Sequence, residues 1–199
     1  VEELKRVKAL GIRSGAFHQF PNGSGSPKEE DNEFWETALD IGMKLSPHFG
    51  FGDVAGPAPG GAGRGTGSQP FAGALCQRAG SHRPIYCMGQ VIASGVLDRY
   101  PDLQLYFAET NASWLPFSLW FMDDNYQLFK DWFNTELKML PSEYVKKHFY
   151  FGIIRDPMIF QMQHLIPWDR IMWGSDFPHS VGSFPKSAEF LETAMADVS

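Results

Sequence analysis

The order in which helical and extended patterns follow one another along this chain limits its fold more than any single residue does. Residues 2–10 place Leu4, Val7 and Leu10 on one helical face, and Gly11 stands where a C-terminal cap glycine belongs. "IRSGAFHQF" (12–20) reads as a short strand. After the polar loop "PNGSGSPKEEDNE", "EFWETALDIG" (33–42) reads as a helix closed by Gly42, and "MKLSPHFGFGD" (43–53) as a strand with a glycine-rich turn. The rhythm continues. Helix "IYCMGQVIASGVLDRYP" (85–101) precedes strand "LQLYFAE" (103–109). The aromatic helix "WLPFSLWFMDDNYQLFKDWF" (114–133), with Pro116 in its first turn, and the short helix "SEYVKKHF" (142–149) precede "YFGIIRD" (150–156). Helix "PMIFQMQHLIP" (157–167) precedes strand "DRIMWGSD" (169–176), and "SFPKSAEFLETAMADV" (183–198) is a last helix. About five β-then-α units argue for an α/β fold with a parallel sheet.

The residues between 56 and 70, "GPAPGGAGRGTGSQP", interrupt that rhythm with a Gly/Pro-rich loop that suits a linker, a lid or an insert. It carries no lysine for a P-loop, and Thr66 stands where GxGxxG needs its third glycine, which argues against phosphate binding. A formal net charge of -6 argues against a general nucleic-acid partner. No apolar run approaches a membrane span, and the start reads as an amphipathic helix rather than a signal peptide. Cys76 and Cys87 form neither a CxxC pair nor a disulfide framework, so we expect reduced thiols in a cytoplasmic protein. One domain over residues 1–199 is expected.

Three segments carry a family resemblance. "WDRIMWGSDFPHS" (168–180) resembles the closing signature of the amidohydrolase-2 branch of the metal-dependent amidohydrolase superfamily, whose members resemble aminocarboxymuconate-semialdehyde decarboxylase. "RYPDLQLYFAETNASWLPF" (99–117) is similar to the segment in which a strand ends on a functional residue and a "WLP" helix begins. "LDIGMKLSPHFGFGD" (39–53) is similar to a strand that ends on a histidine. The resemblance implies a (β/α)8 TIM barrel of the metal-dependent hydrolase type. Such barrels need about 250 residues, so at 199 residues the barrel is expected to be incomplete, a central-to-late portion. The H-x-H pair that opens the family is absent from this sequence, and a chain that opens on Val1 is expected not to start there.

Barrel active sites form at the C-terminal ends of strands, and several residues here hold such positions. His48 ends "MKLSPH". By itself it reads as a hydrogen-bonded loop histidine or a ligand, and the resemblance implies a metal ligand. Asp176 ends "RIMWGSD". It can bind a metal, orient water or transfer a proton, or it can be the aspartate of a tight turn before Phe177-Pro178; the resemblance favours metal binding or proton transfer. Glu109 ends "LQLYFAE" where many relatives place a catalytic histidine. It can act as a base, bind a metal, or be a salt-bridged carboxylate. Arg155 can clamp a carboxylate or form a surface ion pair. His179 and His18 are candidates to line the same mouth as substrate contacts, with His179 not taken as a ligand. His82, His148 and His164 suit ordinary loop or helix roles. Trp114 is a further substrate-binding candidate, although Trp114, Phe117, Trp120 and Phe121 at helical spacing more often make core or subunit contacts. A homodimer through this helix is implied by the resemblance.

These readings converge on a metal-dependent decarboxylase or hydrolase of a small carboxylated aromatic or unsaturated substrate. Its divalent metal is expected to be zinc, with manganese as the alternative, and His48 and Asp176 would help to hold it while Glu109 or Asp176 moves the proton. The competing reading is a catalytically incompetent barrel fragment acting as a binding or assembly module. A third is a barrel completed by another subunit.

Overall fold

The computed structural model of the chain describes residues 1–48, 82–196 and 198. The Gly/Pro-rich stretch 56–70 and Cys76 lie outside the described residues.

Five strands form one parallel sheet in the order of the sequence: β1 (Ser14–Phe17), β2 (Lys44–Pro47), β3 (Leu105–Phe107), β4 (Phe149–Ile153) and β5 (Ile171–Trp173). Successive strands that pair in parallel need a crossover between them. The crossovers carry α2 (Asn32–Asp40), α3 (His82–Ala93), α4 (Val96–Arg99), α5 (Leu115–Phe129), α6 (Pro141–His148) and α7 (Pro157–Gln161). Helix α1 (Glu2–Ala9) precedes the sheet and α8 (Ser187–Ala194) follows it.

Side chains alternate across each strand, and the two faces of this sheet differ. On one face, Leu45, Leu105, Phe107, Phe149, Phe151 and Ile153 are buried against helices. Phe17 meets Phe34 and Trp35 of α2 edge-on, and Phe151 meets Trp114 at the head of α5. Burial of such aromatics supplies most of the driving force, at about 25 cal/mol per Å² of apolar area. On the other face, Ser14, Ala16, Lys44 and Met172 are exposed and Tyr106 and Tyr150 half-buried among the described residues.

Gly11 (φ 85°) and Gly42 (φ 63°) follow α1 and α2 in the left-handed conformation that glycine tolerates best. Other boundaries differ from expectation. The helix expected over 85–101 breaks into α3 and α4 at Gly95 (φ 70°). The aromatic helix stops at Phe129, after which the chain turns through Asn134 (φ 48°), with Thr135 N–H donating to the Lys130 carbonyl at 2.9 Å. The last helix begins at Ser187 because Ser183 is drawn back, its N–H donating to the Ser175 carbonyl at 3.0 Å. Leu10, placed on the apolar face of α1 by its spacing, is 68% exposed, while Leu4 is buried. Cys87 is a free, buried thiol whose pKa burial pushes up. No helix among the described residues is long and apolar enough to cross a membrane.

His148, at the end of α6, is buried, with Nδ1 2.7 Å from the Leu103 carbonyl and Nε2 without a partner. Burial holds its pKa below the ordinary value of 6.5. The Leu103 carbonyl and Asp98 oppose that shift, and Lys147 and Arg170 add to it. A histidine whose folded pKa is lowered is protonated first in the unfolded chain, so the folded state loses stability as pH falls. We expect the denaturation midpoint to decline as pH drops below about 6.5. In His148→Gln that part of the decline should vanish. Equal slopes for the two proteins between pH 7 and 5 would refute the assignment.

Candidate active site

Three strand ends bring acidic and imidazole groups together. His48 directly follows β2 and is held by its N–H to the Phe17 carbonyl at 3.2 Å and by a bridge to Ala108. Its Nε2 lies 3.2 Å from Glu109 Oε1. Glu109 follows β3 with φ 62°, a conformation uncommon for a residue with a side chain. Its other oxygen, Oε2, is 4.0 Å from His179 Nδ1. That same nitrogen lies 2.8 Å from Asp176 Oδ1. Asp176, beyond β5, also has a left-handed backbone (φ 58°). The side chain of Asp176 is 6% exposed, and its Oδ2 is buried with no hydrogen-bond partner. A buried carboxylate oxygen is rarely left unpaired, because desolvation then goes uncompensated.

The loop that carries Asp176 and His179 is folded tightly. His179 N–H donates to the Asp176 carbonyl at 2.8 Å, and Gly182 N–H to the His179 carbonyl at 3.0 Å. A Cβ on Gly182 would collide with the Ser175 carbonyl and approach the His179 and Asp176 carbonyls at 3.0 and 3.2 Å, so only glycine fits.

The loop that carries Glu109 is clamped to the end of β4. Asn111 (φ 52°) donates its N–H to the Gly152 carbonyl, and its Oδ1 accepts from Ile154 N–H, both at 3.1 Å. The buried Asp156 carboxylate accepts from Ala112 N–H at 2.7 Å, from Ser113 N–H at 2.8 Å and from the Ser113 hydroxyl. A carboxylate that accepts several N–H bonds fixes the loop rigidly. Beneath Glu109, burial and then the Glu109 charge push the Tyr106 pKa up.

The sequence candidates separate into two groups. His48, Glu109, Asp176 and His179 converge, and the His18 ring lies against His48 with centroids 5.0 Å apart. Arg155 is exposed after β4 and is in none of these contacts. Trp114 faces the core: its indole N–H donates to the Thr110 and Asn111 carbonyls at 3.0 and 3.1 Å and its ring packs on Phe151. Phe117, Trp120 and Phe121 are exposed, so the core reading of that spacing does not hold for them; Leu115 and Leu119 face inward instead. The roles of Tyr106, Asn111 and Asp156 were not singled out from sequence. For His179 the usable signal is its position three residues after Asp176.

Among the described residues, one group of ligating side chains has the spacing to hold a cation: Glu109, Asp176 and His179 offer atoms that all lie within 4.8 Å of one another. Two carboxylates and an imidazole suit a divalent first-row metal, and Asp176 Oδ2 is buried without a hydrogen-bond partner. His48 meets Glu109 at its other oxygen, Oε1.

Parallel strands followed by helices, with acidic and imidazole groups gathered at their C-terminal ends, define a protein of the (β/α) barrel class. An amidohydrolase family model matches residues 1–197, and the chain belongs to the amidohydrolase family. Solved structures share the fold. The amidohydrolase map2389c from Mycobacterium avium subsp. paratuberculosis K-10 matches with a TM-score of 0.71 at 17% identity, over 100% of this chain and 50% of that one. The 5-carboxyvanillate decarboxylase LigW from Sphingomonas paucimobilis matches with a TM-score of 0.66 at 18% identity, over 97% and 56%. A dihydroxybenzoic acid decarboxylase from Polaromonas sp. JS666, solved with bound manganese and the inhibitor 2-nitroresorcinol, matches with a TM-score of 0.64 at 20% identity, over 99% and 61%. The chain thus spans between half and three-fifths of their lengths, as an incomplete barrel does. No curated protein matches the sequence.

Proposed function

We propose that this chain forms part of the active site of a metal-dependent carboxy-lyase acting on a hydroxylated aromatic acid. The observation that carries the reading is Asp176, which offers a ligating atom within 4.8 Å of those of Glu109 and His179 and keeps a buried, unpartnered Oδ2. Decarboxylases of aromatic acids among the structural relatives, one of them with manganese bound, favour decarboxylation over amide hydrolysis and manganese over zinc. Asp176, Glu109 and His179 would hold the ion, which polarises a substrate oxygen when bound. Glu109 would relay a proton from the His48 imidazole, 3.2 Å from its Oε1, to the ring carbon from which carboxylate departs. His18 and His48 would line the mouth. The exposed Phe117, Trp120 and Phe121 of α5 support self-association into a homodimer.

The test uses the full-length protein stripped with chelator and reloaded. Release of CO2 from 2,6-dihydroxybenzoate or 5-carboxyvanillate should depend on added Mn2+ and disappear on re-chelation. Stoichiometric Mn2+ binding without CO2 release from either acid would remove the decarboxylase reading. Absence of metal binding would favour an assembly role for the chain.

A further inference from the structure

Tyr106 occupies the middle of β3, on the face opposite the buried Leu105 and Phe107. Its ring crosses to the neighbouring strand and fills a notch made by Gly152: a Cβ there would collide with the Tyr106 hydroxyl, lie 2.9 Å from its Cζ, and stand 3.3 Å from the Glu109 backbone nitrogen. The phenol therefore reaches up the sheet to the level of Glu109. A tyrosine kept only for packing places its hydroxyl in a protein hydrogen bond when buried. The Tyr106 hydroxyl makes none among the described residues, and it is not among the atoms sealed from solvent. The strand beneath it is fixed, since the Ser46 hydroxyl donates to the Tyr106 carbonyl at 2.7 Å. The result is a phenol O–H, protonated at neutral pH, held beside the Glu109 backbone at the end of the sheet where the ligating group gathers.

We propose that Tyr106 is a substrate-binding residue whose hydroxyl donates to a carboxylate oxygen of the bound aromatic acid; this rests on the function proposed above. Gly152 is the positioning residue that makes the approach possible. Neither role needs Tyr106 to touch the metal.

Calorimetric titration of the Mn2+-loaded, full-length protein tests the assignment, with 2-hydroxybenzoate and phenol as probes. Tyr106→Phe should weaken 2-hydroxybenzoate about 10- to 100-fold, as loss of a hydrogen bond to a charged group does. It should leave phenol and Mn2+ affinities unchanged. Gly152→Ala, which displaces the ring and also crowds the Glu109 backbone, should reproduce the loss of 2-hydroxybenzoate affinity, so its Mn2+ affinity is read separately from that of Tyr106→Phe. Unchanged 2-hydroxybenzoate affinity in both variants would overturn the proposal and leave the proposed function standing. An equal loss for phenol would overturn the carboxylate contact. A parallel loss of Mn2+ affinity in Tyr106→Phe would overturn the contact and show that Tyr106 acts through Glu109 instead. Wild-type protein that binds Mn2+ but neither probe would overturn the function and this contact together.

Discussion

Asp176→Asn should lower Mn2+ affinity by about 100-fold or more and turnover by roughly 10³-fold, while making the metal-free protein slightly more stable. The two effects have one origin. The Asp176 side chain is 6% exposed and only Oδ1 has a partner, the His179 ring at 2.8 Å. Burying an ionised oxygen without a partner costs stability, and a neutral amide of the same shape reduces that cost by about 1 kcal/mol. Asparagine is the informative replacement because it accepts the left-handed backbone of this position (φ 58°) as readily as aspartate, whereas alanine adds strain. Thermal denaturation with and without Mn2+ checks both effects. Wild-type protein should gain more than the variant on metal addition, in line with ligand linkage. Equal Mn2+ affinity in the two proteins would place the cation elsewhere.

Asp156→Ala should cost about 3–4 kcal/mol of stability, because it leaves the Ala112 and Ser113 N–H groups without their acceptor next to a buried backbone. The same change releases the loop that aims Glu109. Mn2+ affinity should therefore fall even at temperatures where the variant is fully folded. Trp35→Ala is the control: Trp35 is fully buried against Phe17 and Phe34, far along α2 from the Glu109 loop in sequence, and its loss costs a comparable 3–5 kcal/mol. In that variant the metal affinity should hold. Denaturant midpoints and Mn2+ titration separate the two. A cost below about 1 kcal/mol for Asp156→Ala would mean that the clamp does not bear on the loop.

The residues that end strands were legible because an apolar run that stops at His48, Glu109 or Asp176 marks both a strand and its exit, and barrel chemistry sits at such exits. Helix ends were legible where glycine enforces them, at Gly11 and Gly42. The break at Gly95 was not, since apolar spacing continues across it. Nor could periodicity choose the inner face of α5: Leu115 and Leu119 point one way and Phe117, Trp120 and Phe121 the other, so apolar residues circle the helix. The clamp was invisible for a different reason. Asp156 acts on backbone groups 43 and 44 residues earlier, and side chain–backbone bonds of that reach leave no local pattern. The left-handed backbone at Glu109 likewise belongs to the fold around it, and no residue type announced it.

The strands that build the site are unequal. β4 is sunk in the core, with Phe149 and Phe151 fully covered, whereas among the described residues β5 pairs with β4 alone and leaves Met172 and Trp173 49% and 37% exposed. Glu109 hangs from the protected centre and Asp176 from this thin margin. Local opening starts where burial is least, so the two halves of the cup have different lifetimes. Excursions that peel β5 away would part Asp176 and His179 from Glu109 while the hydrophobic interior stays intact. Heating should therefore separate these side chains before it melts the fold.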